Sequence, residues 1–165
     1  MRQPWLALAL PATVALFAGP ALPEAPPGRY AILSVTAVKD TVTGLVWTRK
    51  PTLTTTSNGW TEALLGCESL AQDGKDDWRL PAIREVFSLF DHSSTDQNLI
   101  DRNAFDITGI TTLQVFSSTP SGVRSGTSAT AQMVNGFTFN GATGITRLSQ
   151  ASNVRYLCVR GPDTP

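Results

Sequence analysis

Asp77-Trp78-Arg79-Leu80-Pro81-Ala82-Ile83-Arg84-Glu85-Val86-Phe87 is the stretch on which the fold turns. Trp78 and Leu80 are large enough to anchor a core, and Pro81 sets the start of a helix. Ile83, Val86, Phe87 and Phe90 then follow at helical spacing. The N-cap of that helix falls at Ala82, with Glu85 three residues on. Alanine cannot accept a capping hydrogen bond and forfeits about 0.5–2 kcal/mol at this position. Arg79 reads as structural, its guanidinium holding loop carbonyls.

Upstream, Trp60, Ala63, Leu64, Cys67, Leu70 and Ala71 lie on one apolar stripe and predict another helix. Ser57 or Asn58 would cap its start and Asp73-Gly74 would stop it. Cys67 falls on its core side. Earlier still, Tyr30–Val38 and Leu45–Thr48 read as the two strands of a hairpin around Lys39–Gly44, with Gly44 free to take a positive φ. Pro51–Asn58 is a threonine-rich loop. Downstream of the quoted stretch, residues 91–111 are polar and loop-like. Strands are expected at Leu113–Ser117, Gln132–Phe139, Ala142–Arg147 and Val154–Arg160, with a hairpin turn at Asn140-Gly141. The fold class is α+β: two helices packed on antiparallel strands and hairpins, with the terminal strands paired in one sheet.

The chain's 165 residues make room for one ordinary domain. Apolar residues at 41% and charged residues at 16% suffice for a core behind a largely uncharged polar surface. With 13 basic and 13 acidic residues the formal charge is zero, which argues against a nucleic-acid partner held by a broad basic face. One histidine and two cysteines exclude a multi-histidine metal centre and a Cys₄ zinc site, so neither metal nor cofactor is expected.

Residues 1–21 have the layout of a secretory signal: Arg2, the apolar run Trp5–Ala18, then Gly19-Pro20-Ala21. A spanning helix needs roughly 20 apolar residues, and Pro11 would break one, so no membrane span is expected after cleavage. An uncleaved anchor and a misplaced start are the alternatives. Residues 22–35 form a proline-rich lead-in and first strand, residues 36–161 the domain, and 162–165 a tail. Outside the cytosol, Cys67 and Cys158 are expected to form a bridge, worth about 4–5 kcal/mol by loop entropy and usually 2–4 in practice. Two buried thiols are the alternative.

Several ordered blocks resemble a known family. They are Asp40-x-x-Thr43-Gly44-Leu45-x-Trp47, Trp60-x-x-Ala63-x-x-x-Cys67-x-x-Leu70, Asp77-Trp78-Arg79-Leu80-Pro81-x-x-x-Glu85, Phe116-Ser117-Ser118-Thr119-Pro120, Phe139-Asn140-Gly141 and Val154–Gly161. In this order they are similar to the Lcl C-terminal domain family of bacteria, named for the tip domain of a collagen-like adhesin. The resemblance implies a C-type-lectin-like fold, a paired Cys67 and Cys158, export, and a binding role; the ligands of that adhesin are sulfated glycans on host surfaces. Val115-Phe116 stands where the family has Tyr-Trp, and Ala82 where it has Thr. The sequence has no Gly-X-Y run, so neither a collagen stalk nor its trimer is implied. The calcium-dependent sugar motifs of true C-type lectins are missing too.

Binding a sulfated polysaccharide requires several cations on one surface. Arg102, Arg124, Arg147 and Arg155 are the candidates, with Arg79 and Arg84 behind them; Arg155 and Arg160 would face opposite sides of one strand. Asp91, Asp96, Asp101 and Asp106 do not match a calcium loop. His92 could serve as a base in a Ser–His–Asp arrangement, but the nearest string to a nucleophile elbow, Gly122-Val123-Arg124-Ser125-Gly126, has the wrong spacing. The lectin-like formylglycine-generating oxidases share an Arg-Leu-Pro block but need a reactive cysteine pair. The expectation is an exported, non-enzymatic, adhesin-like domain binding a glycan or a surface protein through its polar loops between residues 91 and 130. The alternatives are an enzyme using His92 and a structural subunit of the cell envelope.

Overall fold

The computed structural model describes residues 28–91, 100–124, 132–139, 145–149 and 153–161. The signal segment, most of the proline-rich lead-in, His92, Asp96, the Asn140-Gly141 turn and the tail lie outside the described residues. In chain order come β1 (Tyr30–Ile32), β2 (Ala37–Asp40), β3 (Val46–Thr48) and β4 (Thr52–Leu53), followed by α1 (Gly59–Glu68) and α2 (Ile83–Ser88). Then follow β5 (Leu113–Arg124), β6 (Gln132–Phe139), β7 (Ile145–Ser149), β8 (Arg155–Tyr156) and β9 (Val159–Arg160). One sheet runs β1-β2-β3-β9 and the other β4-β8-β5-β6-β7. Their pairs are antiparallel except β5 with β8, which is parallel at Val115 and Arg155. The α+β class holds among the described residues. The first and last strands share a sheet, but they occupy its two edges, and β9 pairs with β3.

Strands β2, β3 and β9 of the first sheet carry buried side chains on both faces, and the period of two sorts them between two cores, while β1 at the edge is largely exposed. Val38, Trp47 and Val159 pack with α2 (Ile83, Val86) and with Phe105 and Ile107. Ala37, Val46 and Cys158 pack on the opposite side with α1 (Ala63, Cys67), Trp78 and Leu80. Consecutive residues of β2 and β3 therefore serve different cores, which is why Val46, Trp47 and Thr48 are all buried.

Several expectations about element bounds need correction, and Asn58, although at the N-cap of α1, makes no capping side-chain bond. Tyr30–Val38 is not one strand: Ser34 Oγ accepts the N–H groups of Thr36 and Ala37 at 3.1 and 3.0 Å, folding the run into β1 and β2. The turn after β2 is where expected, with Gly44 at φ 75°. The Pro51–Asn58 loop contains β4, which pairs with β8. Helix α1 ends at Glu68, because Asp73 and Gly74, at φ 55° and 70°, belong to a small hairpin between Gln72 and Lys75 instead. Finally, Val154–Arg160 is two strands in two sheets. Cys158 sits between them, its N–H donating to Thr48 Oγ1 at 3.0 Å and its carbonyl accepting from Thr48 N–H at 2.9 Å.

The bridge from Cys67 to Cys158 spans 91 positions, with Cα atoms 5.4 Å apart. It fastens α1 to the crossing between the two sheets. We expect the Cys67→Ser, Cys158→Ser double variant to lose about 2–4 kcal/mol in urea melts, with wild type falling to the same value under reductant. Equal stability of oxidised wild type and the variant would refute this.

Candidate functional site

The Trp78–Pro81 block is a structural device. The Trp78 and Leu80 side chains are buried, and the backbone of Arg79 pairs with Val159 in both directions at 2.8 and 2.9 Å. The guanidinium of Arg79 does not hold loop carbonyls. It grips Glu85 with two bonds of 2.7 and 2.6 Å, and Glu85 also accepts the Ala82 N–H at 2.7 Å. Those bonds from Arg79 hold the Glu85 carboxyl below its ordinary range, against burial and with help from Ala82 N–H. The cap that Ala82 cannot supply comes from across the fold: Thr119 Oγ1 accepts the Ile83 N–H at 3.0 Å. Beside it, Ser118 N–H donates to Pro81 C=O at 2.8 Å and Trp60 Nε1 donates to Ser117 C=O at 2.9 Å. The Ser117-Ser118-Thr119 run is thus the clasp that closes over the motif.

The candidate cations separate. Arg84 is exposed on α2. The backbone places Arg124 at the end of β5 and Arg147 on β7, the far edge of the second sheet from β4; their side chains lie outside the described residues. Arg160 does not oppose Arg155 on a shared strand. It is buried, stands over the Trp78 ring with 5.7 Å to the centroid, and pairs with Asp77 at 3.7 Å.

Arg155, by contrast, lines a groove of ≈ 510 Å³ between the two sheets, together with Lys50, Thr52, Gln72, Asp106 and Tyr156. Cys158 lies in the same wall, so the bridge and the groove are one construction. Lys50 leaves the end of β3, Arg155 and Tyr156 come from β8, and Gln72 comes from the small hairpin. The side chains of Lys50 and Arg155 have no hydrogen-bond or ion-pair partner among the described residues. Arg102 lines an adjoining hollow of ≈ 200 Å³ with Arg49, Phe105 and Asp106. Arg49 serves the scaffold, its guanidinium donating to the carbonyls of Ala104 at 2.9 Å and Asn103 at 3.2 Å.

Tyr156 is fitted to the groove wall by a glycine. A Cβ on Gly66 of α1 would lie 2.5 Å from the Tyr156 hydroxyl oxygen. Burial raises the Tyr156 phenol above its usual range, opposed by a hydrogen bond with Thr52. Sequence reasoning missed Lys50, Gln72 and Tyr156. The adjacent pair Arg49-Lys50 directly after a buried strand was the signal available. Among the described residues, no three His, Cys, Asp or Glu side chains gather as a metal site, and no helix is long and apolar enough to cross a membrane.

A sequence model of the Lcl C-terminal domain family matches residues 36–160, most of the chain. No curated protein and no solved structure matches it.

Two outcomes follow from this geometry. Gly66→Ala should stabilise a Tyr156→Ala background by about 0.5–1 kcal/mol through helix propensity, yet give no gain in wild type, where the new methyl meets the phenol. Chemical melts of the four proteins measure that coupling, and equal gains in both backgrounds would disprove the contact. The second concerns acid. Glu85 is lowered in the folded state, so its stabilisation is complete above the ordinary glutamate value and fades as pH falls through the lowered one. Glu85→Gln should flatten that limb of stability against pH, by less than about 1 kcal/mol because Arg79 is half exposed.

Proposed function

The chain belongs to the Lcl C-terminal domain family, and from that premise we propose an exported, non-enzymatic, lectin-like domain that binds a glycan in the groove between its two sheets. Three features support export and a lectin-like fold. They are the signal-like residues 1–21, the terminal strands in one sheet, and a disulfide joining the first helix to the closing segment. The observation that carries the reading is that Lys50 and Arg155, whose side chains make no hydrogen bond or ion pair among the described residues, line one open groove beside Tyr156, with Asp106 the one acid in its lining.

The chemistry suits an acidic sugar. Lys50 and Arg155 offer charge-assisted hydrogen bonds to carboxylate or sulfate oxygens, the Arg155 fork in bidentate fashion. Tyr156 supplies an apolar ring against which the C–H face of a pyranose can pack, and Gln72 and Thr52 add donors and acceptors for hydroxyls. No step here needs a nucleophile or a base. A protein partner is the second reading, favoured by Leu33 and Val35, which are 50% and 87% exposed at the β1–β2 turn.

Binding of the chain lacking residues 1–21 to an array of acidic and neutral glycans tests this directly. Lys50→Ala and Arg155→Ala should each weaken the acidic hits about fivefold, near 1 kcal/mol, and wild-type binding should fall as salt rises. Failure to retain any glycan at low salt, or binding indifferent to both substitutions, would defeat the reading.

A further inference from the structure

The groove and the smaller hollow beside it share one lining residue that does not match its surroundings. Asp106 lines both, and it is the single acidic residue lining either among the described residues. Lys50 and Arg155 line the groove with it, and Arg102 lines the hollow with it beside Arg49, whose guanidinium also ties the Asn103 and Ala104 carbonyls. The loop holds it in place: its N–H donates to the Arg49 carbonyl at 2.9 Å, and its Oδ1 accepts the Thr108 N–H at 3.3 Å. The hydroxyl and N–H of Thr108, with the charges of Lys50 and Arg49, hold the Asp106 carboxyl below its ordinary range, so it stays ionised wherever the domain is folded near neutral pH. A fixed anion between two cationic compartments distinguishes ligands by the spacing of their charges. An acidic group is drawn into either compartment and repelled at the divide.

We propose that Asp106 is a specificity residue. The two compartments together accept an oligosaccharide whose acidic groups are separated by an uncharged sugar. That uncharged sugar passes Asp106, and chains charged at every sugar are penalised there. This deepens the glycan reading and rests on it.

The test uses two size-matched probes, a hyaluronan octasaccharide with carboxylates on alternate sugars and a heparin octasaccharide charged on every sugar. Affinities are measured by calorimetry at fixed salt for wild type, Asp106→Asn, Asp106→Ser and Arg155→Ala. Asparagine keeps the shape and an oxygen for Thr108, and serine keeps a turn-forming oxygen if the asparagine variant folds poorly. Removing the charge should tighten heparin about fivefold and leave hyaluronan within about twofold. Equal tightening of both probes, or no change in either, overturns the role of Asp106. If wild type binds and Arg155→Ala weakens it while Asp106→Asn shifts both probes alike, the groove survives and the specificity proposal alone fails. If wild type binds neither probe, the acidic-glycan reading and this proposal fall together.

Discussion

The structure depends on where the segment from Val154 to Arg160 crosses from one sheet to the other. Arg155 and Tyr156 pair with β4 and β5, and beyond the two intervening residues Val159 and Arg160 pair with β3. At the crossing, Cys158 is held by the bridge to α1 and by hydrogen bonds in both directions with Thr48. Each of those buried backbone groups would cost about 1–3 kcal/mol if left unpaired, so the crossing has few alternative geometries. Val159 then exchanges two backbone bonds with Arg79, which fixes the Trp78–Pro81 block against the same point. Both cores, the start of α2 and the groove wall are referred to this one short passage.

How legible this was depends on the kind of signal each element carried. Helices α1 and α2 were visible because their buried residues repeat at helical spacing, and the bridge because two cysteines behind a signal-like segment point to a disulfide. The breaks were not visible. Ser34 divides a β-rich run by accepting two backbone N–H groups, and nothing in its apolar neighbours announces that choice. The closing run looked like one strand because the crossing at Cys158 changes hydrogen-bond partners without changing composition. Asp73-Gly74 was recognised as a breaker but assigned to the wrong element, since a turn signal does not say which chain segments it joins. The missing cap at Ala82 was read correctly as a local loss. Its replacement, Thr119, comes from a strand 36 positions beyond the Ile83 N–H that it accepts, a compensation only tertiary structure supplies.

The site was less legible than the fold, for a physical reason. Its side chains come from the end of β3, a small hairpin, a loop and β8, and no linear pattern unites them. Arg155 was chosen because it is a cation, and it does line the groove. Lys50 was not among the candidate cations, and it and its neighbour split their tasks: Arg49 ties the loop at Asn103 and Ala104 while Lys50 lines the groove. Asp106 was weighed only as a calcium ligand. Its position between cations gives it a different meaning from the one its sequence neighbours suggested.

The zero net charge of the chain does not by itself oppose an anionic ligand. A ligand in a cleft responds to charges within about one Debye length, roughly 8 Å at physiological salt, and not to the sum over the molecule. What matters is which charges are already engaged. Asp40 is buried against Arg29 at 2.9 Å, and Glu85 is committed to Arg79, so these acids contribute little field at a distance. Among the described residues Lys50 and Arg155 make no such ion pair, although the charge of Lys50 does act on Asp106. In the proposed reading, a chain of zero net charge still brings Lys50 and Arg155 to one groove with Asp106 beside them, and selectivity there rests on the arrangement of charge more than on its amount.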